Sequence, residues 1–250
     1  MAQVIEGAQA WSAEGRRDVG VLVLHGLTGN PVSLRPLAES LAGDGYHVEL
    51  PRLPGHGTRW QDLARTTWHD WAREANAALE LLRARTSAQV AVGLSMGGTL
   101  SLHLAITRPD DLAGIVLINP TVKPRDPRLK ALPAIKWVVP GLPGVGNDIA
   151  RPGADEKPYP KMSLKALSSL IDLQRRVRAR LGEVRLPLLV LTSRQDHVVD
   201  VADSRLVIDR VASERCEHVW LERSYHVATL DYDAAEIEQR VAAFVEKVAA

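Results

Sequence analysis

The chain has 250 residues, of which 46% are hydrophobic, enough apolar material for the core of one globular domain. Its 31 Lys and Arg residues nearly balance 30 Asp and Glu residues, so the net charge of +1 gives little attraction to nucleic acid, and we expect no such partner. Cys216 is the only cysteine, which excludes an internal disulfide and favours a reducing compartment, the cytoplasm.

The hydrophobic residues are not arranged in long runs. The opening stretch MAQVIEGAQAWSAEGRRD lacks the continuous apolar region of a secretory signal, and no apolar run approaches the roughly 18 residues of a membrane span. We therefore expect no transmembrane segment.

Short apolar runs alternate with amphipathic stretches, which predicts alternating strands and helices. The predicted strands are residues 20–24, 46–50, 89–92, 114–118, 188–191 and 218–221. The predicted helices are residues 33–41, a helix capped by Thr67, residues 96–107, a helix from Ser163, residues 202–211 and residues 234–248. Because the strands are apolar throughout and separated by helices, the sequence predicts an α/β fold with a mostly parallel sheet and helices on both faces.

Residues 121–181 interrupt the alternation with a segment rich in proline and glycine, followed by a helical stretch. This segment is too long for a simple crossover connection. We interpret residues 1–250 as a single domain, with a small cap inserted at about 121–181 over the carboxyl edge of the sheet.

The sequence Gly93-Leu94-Ser95-Met96-Gly97 lies between a predicted strand and a predicted helix. G-x-S-x-G in that context is typical of the nucleophile turn of the α/β-hydrolase fold, where a strained serine is exposed and flanking glycines avoid a clash. A chance glycine-rich turn is the alternative, but the strand before it and the helix after it argue against that interpretation.

A serine nucleophile needs hydrogen-bond donors for the oxyanion that forms after attack. His25-Gly26-Leu27 follows the first predicted strand, where this fold supplies one backbone N–H group, here from Leu27. The residue after the nucleophile, Met96, supplies the second donor. An ordinary turn at a strand end is the alternative interpretation of the His25-Gly26 pair, and His25 itself is expected to be structural.

The fold places an acid and then a histidine on loops after late strands. Asp196 follows strand 188–191 directly and is favoured over Asp200 and Asp203, which we expect near the start of the next helix. His226 lies in the loop before the last helix, where the general base is expected.

Four other histidines are weighed against His226. His197 adjoins the acid, His218 lies within a strand, and His56 is expected to be structural, as is His25. His226 is therefore the predicted base, and the alternative, a histidine on a surface loop, would leave Ser95 without one.

Together, the segments HGLTG, LPGHG, GLSMGG, QDHVV and SYHVATLDYD resemble the bacterial monoacylglycerol lipases and small carboxylesterases of the α/β-hydrolase fold. The resemblance implies a Ser95–Asp196–His226 triad and an apolar acyl tunnel under a small cap. It further implies that Glu156 contacts the glycerol end of the substrate and that Val145 lines the tunnel. Leu27 departs from the aromatic residue that the family often has after the His-Gly pair.

The expected activity is hydrolysis of monoacylglycerols and of short- to medium-chain esters through an acyl-enzyme, which needs no metal or organic cofactor. The apolar stretch 132–145 is expected to line the tunnel, to contact lipid transiently or to form the core of the cap. A general carboxylesterase or thioesterase shares the same residues. A ligand-binding protein on the same fold is a further alternative, although the presence of all three triad residues argues against it.

Overall fold

The computed structural model describes residues 3–124, 126, 129 and 131–249, so four positions of the predicted cap (125, 127, 128 and 130) and the chain ends lie outside the described residues. The described residues form nine strands: β1 (Trp11–Ala13), β2 (Val19–Leu24), β3 (His47–Leu50), β4 (Ala88–Leu94), β5 (Gly114–Ile118), β6 (Gly141–Pro143), β7 (Lys161–Ser163), β8 (Leu188–Ser193) and β9 (Cys216–Leu221). They also form the following α-helices: α1 (Arg35–Gly43), α2 (Trp60–Leu63), α3 (Trp68–Arg83), α4 (Met96–Thr107), α5 (Leu132–Ile135), α6 (Leu164–Ala179), α7 (Ala202–Arg210) and α8 (Ala234–Ala249).

Seven strands form one sheet in the order β1-β3-β2-β4-β5-β8-β9. All neighbours are parallel except β1, which pairs antiparallel with β3 at one edge. β6 and β7 form a separate antiparallel pair. The parallel strands and the helices between them match the architecture predicted from the sequence, and β1 is an element that the sequence analysis missed.

Alternate residues of each central strand face opposite sides of the sheet, which creates two apolar cores. On β2, Leu22 and Leu24 join the core covered by α3, α4 and α6, whereas Val21 and Val23 join the core covered by α1 and α8. Both faces are therefore buried, which explains why these strands are apolar throughout.

Local side-chain caps fix where two of the helices begin. Thr67 and Asp70 form a reciprocal capping box at the start of α3, as predicted, and the Ser163 hydroxyl accepts the Ala166 N–H at the start of α6. The helix predicted from residue 33 instead begins with a 3-10 turn, Pro31–Leu34, that is capped by Asn30, and the α-helix starts at Arg35.

The connection between β5 and β8 carries α5, β6, β7 and α6 and adjoins the carboxyl ends of the parallel strands. Across the part of the chain that the structure describes, no helix combines the length and the apolar character needed to cross a membrane.

Candidate active site

Ser95 occupies the sharp turn between β4 and α4 with φ of 57° and ψ of −115°, a strained conformation for a residue with a side chain. The turn is tight enough to exclude side chains on both flanks. A Cβ on Gly93 would lie 2.2 Å from the carbonyl of Gly97, and a Cβ on Gly97 would lie 1.9 Å from the carbonyl oxygen of Leu24. Ser95 stays partly exposed at the start of an otherwise buried helix.

Asp196 and His226 form a buried hydrogen-bonded pair, with 2.7 Å between Oδ2 of Asp196 and Nδ1 of His226. The second carboxylate oxygen, Oδ1, accepts the backbone N–H groups of Val198 and Val199, each at 2.8 Å. These bonds hold the carboxylate plane, which in turn orients the imidazole so that Nδ1 carries the proton and Nε2 remains an acceptor.

His226 is nearly inaccessible, and its charge state is set by its neighbours. Burial disfavours the imidazolium, but the carboxylates of Asp196, Glu156 and Asp148 outweigh that effect and raise the pKa of His226 above its ordinary value. A base with a raised pKa is a stronger proton acceptor, and it still becomes neutral toward alkaline pH.

Three rival candidates from the sequence, Asp200, Asp203 and His197, also line the pocket but have other hydrogen-bond partners. Asp203 is buried on α7, where it accepts the N–H groups of Val122 and Lys123, and Asp200 accepts the N–H of Ala202 near the start of that helix. His197 pairs with Asp148, and His218 contacts Thr192 and Trp220 on the sheet edge.

The loop at residues 26–29 adjoins the serine directly, because a Cβ on Gly26 would lie 3.5 Å from Cβ of Ser95. The Leu53 N–H donates to Nε2 of His25, so the proton of this ring is on Nδ1 and is donated to the Gly26 carbonyl at 2.9 Å. The Gly26 carbonyl and the Leu27 N–H belong to the same trans peptide and point in opposite directions. Because the carbonyl points toward His25, the Leu27 N–H is turned away from it. Met96 begins α4, where its N–H belongs to the unpaired first turn.

His25 and His56 lie against each other, with 4.9 Å between ring centroids, and both are fully buried. Burial lowers the pKa of His56 to about 4 and, together with the nearby His56, lowers the pKa of His25 well below its ordinary value. Both rings are therefore neutral near pH 7. They hydrogen-bond to backbone groups of the 26–29 loop and of residues 53–54, in agreement with their predicted structural role.

A pocket of about 790 Å³ is lined by Ser95, Asp196 and His226 together with Leu27, Glu156 and Val145. Glu156 is buried, its Oε1 accepts the Asn147 N–H at 2.9 Å, and burial raises its pKa above the ordinary value. Val145 lines the pocket and is partly exposed to solvent. Apolar side chains from the β5–β8 connection form another part of the wall: Leu142, Met162, Leu167, Leu170 and Ile171.

The pocket wall and the 26–29 loop are joined by several hydrogen bonds. The Thr28 hydroxyl donates to the Val145 carbonyl, and the Thr28 carbonyl accepts the Tyr159 N–H at 3.2 Å. The Asn30 amide donates to the carbonyls of Glu156 and Lys157, each at 3.0 Å. Residues 145–159 are thus attached to the segment that carries the predicted oxyanion donor.

Two polar residues near the His226 loop were missed by the sequence analysis. Asn119, at the carboxyl end of β5, donates to the His226 carbonyl at 2.8 Å and accepts the Ser193 N–H at 2.7 Å. Asp148 contacts His226 from the β5–β8 connection. A polar residue directly after a central strand was a usable signal for Asn119, whereas nothing local marks Asp148.

Within the described ranges, no group of three or more His, Cys, Asp or Glu side chains is arranged to hold a metal ion. A strained serine that shares a pocket with a buried Asp–His pair can perform nucleophilic acyl transfer, with the imidazole as base and backbone N–H groups as oxyanion donors. This arrangement is that of a serine hydrolase.

Comparisons with known proteins agree with this class. The family model for serine aminopeptidase, S33, matches residues 15–233. The thermostable monoacylglycerol lipase of Bacillus sp. (strain H-257) is 40% identical over 251 residues, covering 98% of this chain and 96% of that protein. A carboxylesterase of Bacillus subtilis (strain 168) is 28% identical over 232 residues, and the match covers 92% of this chain and 94% of the carboxylesterase.

A solved structure from work on LipS and LipT, two metagenome-derived lipolytic enzymes, superposes with a TM-score of 0.95 at 40% identity and covers 98% of this chain and all of its own. The chain belongs to the bacterial monoacylglycerol lipase and carboxylesterase family of the α/β-hydrolase fold. The fold and family predicted from the sequence are confirmed.

Proposed function

We propose that this protein hydrolyses monoacylglycerols to glycerol and fatty acid through an acyl-enzyme on Ser95. The chain is a carboxylic ester hydrolase. The observation that carries the proposal is the strained Ser95 in the same pocket as the Asp196-paired His226.

In the proposed mechanism, Nε2 of His226 takes the hydroxyl proton of Ser95 while Oγ forms a bond to the ester carbonyl carbon. Asp196 keeps the other ring nitrogen protonated and stabilises the imidazolium. The carbonyl oxygen becomes an oxyanion bound by the N–H groups of Leu27 and Met96. His226 returns the proton to the leaving alcohol as the ester C–O bond breaks, and water then releases the acid by the same steps.

The division of the pocket into polar and apolar parts supports a glyceride substrate. Glu156 is a buried carboxyl group on the pocket wall, and its Oε2 lies beside Gly29, where a built Cβ would be 3.1 Å from it. Glycerol hydroxyls can hydrogen-bond to it. The apolar wall from β6, β7 and α6, together with Val145, suits the acyl chain.

We further propose that residues 121–181 act as the cap and that its outer surface touches lipid aggregates. Trp137 and Val138 are 71% and 83% exposed, which is unusual for such large apolar side chains. The ammonium groups of Lys136 and Lys165 lie within 6 Å of the Trp137 ring and add positive charge to this surface. We retain the cytoplasm as the proposed location, because the lone cysteine suits a reducing compartment.

The test compares monolauroylglycerol with p-nitrophenyl esters from acetate to palmitate, with and without a serine-reactive phosphonate. We expect phosphonate-sensitive turnover of the glyceride and of medium-chain esters, and none by Ser95→Ala. Turnover of acetate and butyrate esters alone would assign a general carboxylesterase instead. Absence of both turnover and a phosphonate adduct on Ser95 would contradict the enzyme assignment.

A second comparison isolates the alcohol site by keeping the acyl chain constant. Replacing the Glu156 carboxylate by an amide weakens a hydrogen bond to a glycerol hydroxyl, so Glu156→Gln should lower kcat/KM for monolauroylglycerol about tenfold. Turnover of p-nitrophenyl laurate, which lacks glycerol, should stay within about twofold of wild type. Equal losses on both substrates would remove Glu156 from glycerol recognition.

A further inference from the structure

Asp148 connects the two loops that carry the Asp196–His226 pair. Its Oδ2 accepts the backbone N–H of His226 at 3.0 Å and the backbone N–H of His197 at 3.2 Å. Its Oδ1 lies 2.8 Å from Nδ1 of the His197 ring. Because His197 directly follows Asp196 in the chain, one carboxylate is bound to the backbone of the base and to the residue beside the acid.

The backbone of Asp148 contributes as well, since its carbonyl accepts the Val227 N–H at 3.0 Å. On the other side of the loop, the amide of Asn119 donates to the His226 carbonyl at 2.8 Å. Both polar groups of the His226 backbone therefore have side-chain partners, one from the β5–β8 connection and one from the end of β5. The base is held from two directions without using its imidazole.

The Asp148 side chain is only 16% exposed, whereas the His197 side chain that faces it is 59% exposed. A shielded carboxylate with three donors is a strong anchor, because hydrogen bonds to a charged acceptor are about twice as strong as neutral ones. The proposed mechanism gives this anchor importance, since an error of about 1 Å in the position of a reacting group can cost about 100-fold in rate.

We propose that Asp148 is a positioning residue for ester hydrolysis. Its carboxylate fixes the position of the His226 loop relative to the Asp196 loop. It acts through the backbone N–H groups of His226 and His197 and through the His197 ring, and it does not take a proton from the substrate or give one to it. This inference rests on the proposed roles of Ser95, Asp196 and His226.

The carboxylate also contributes to the electrostatics of the base. The ionisable groups that act on His226 are Asp196 from the loop after β8, and Glu156 and Asp148 from the β5–β8 connection, and all three raise its pKa. Removing the Asp148 charge should therefore lower the pKa of His226. The acid limb of kcat/KM, which requires a neutral base, should move to lower pH.

Two substitutions separate position from charge. Asp148→Ala removes every side-chain contact, and we expect kcat for p-nitrophenyl butyrate to fall about 100-fold while KM changes less than about threefold. In Asp148→Asn the amide oxygen can still accept the two N–H groups while the NH₂ group donates to Nδ1 of His197. This variant should keep most of kcat and show the shift of the acid limb.

Asp209→Asn, the same change on the exposed surface of α7, is the matched control. If Asp148→Ala keeps kcat within about threefold of wild type, the positioning role is overturned. If Asp148→Ala yields no folded protein by circular dichroism, Asp148→Asn decides: its amide oxygen keeps both backbone contacts, so a loss of kcat of more than about tenfold overturns the proposal. A wild-type protein that neither hydrolyses the ester nor binds the phosphonate would instead refute the proposed function.

Discussion

Replacing Asp196 with asparagine exchanges one carboxylate oxygen for an NH₂ group, and the surroundings determine which one. If the amide oxygen stays where Oδ1 accepts the N–H groups of Val198 and Val199, the NH₂ group faces Nδ1 of His226. That ring nitrogen must then accept a hydrogen bond, so the proton of His226 moves to Nε2. The imidazole is then held in the tautomer that cannot take a proton from Ser95.

The opposite amide orientation is disfavoured by the same contacts. It would set the NH₂ group against the backbone N–H groups of Val198 and Val199, donor against donor, and lose both hydrogen bonds. The wrong tautomer therefore dominates. From the loss seen for the equivalent change in serine protease triads, we expect kcat to fall about ten-thousand-fold, which corresponds to about 5 kcal/mol of transition-state stabilisation.

The assay is steady-state hydrolysis of p-nitrophenyl butyrate, with thermal melting to show that the fold is retained. Asp200→Asn is the matched control, because Asp200 lies four residues further along the same loop and was the rival acid in the sequence. The reasoning is refuted if Asp196→Asn loses less than about tenfold while Asp200→Asn loses more.

Two further predictions concern the turn at Ser95 and the buried histidines. Gly97→Ala should lower the free energy of unfolding in urea by about 3 kcal/mol and abolish activity, because its Cβ would overlap the Leu24 carbonyl. Gly43→Ala, whose Cβ meets open space, is the control. Equal stability of the two variants would contradict the clash. The free energy of unfolding should fall by about 2 kcal/mol between about pH 7.5 and about pH 5 on account of His56. The buried ring has a pKa of about 4, so over this range His56 binds a proton in the unfolded chain but not in the folded one. His56→Gln should show a correspondingly smaller drop in urea titrations at the two pH values, and an unchanged drop would exclude His56 as the cause.

The parts of the fold that were predictable are those whose signals are local. Helix Met96–Thr107 and strand Gly114–Ile118 have the limits that the sequence predicted, because each is an apolar run with a clear start and stop. Strand Trp11–Ala13 was missed, since three half-exposed residues form no pattern and the strand exists only through its pairing with β3.

The same distinction applies to the site. Ser95, Asp196 and His226 were predictable as chemically suited residues at strand ends, and the sheet brings their loops to one pocket. Asp148 was not predictable, because its partners His197 and His226 lie 49 and 78 residues further along the chain. Glu156 and Val145 were proposed through resemblance alone, and the structure places both on the pocket wall.

The hydrogen bonds between residues 145–159 and the loop at 26–29 have a consequence for protein engineering. These bonds end on main-chain atoms of the wall, so a wall transplanted from a relative would break the bonds of Thr28 and Asn30 wherever its backbone follows a different path. The Leu27 N–H, the proposed oxyanion donor, lies on that same loop, so such a chimaera should disturb proposed transition-state binding together with proposed acyl-chain recognition. The smallest exchangeable module is therefore discontinuous: it combines the wall with the short loop behind the first parallel strand, grafted together.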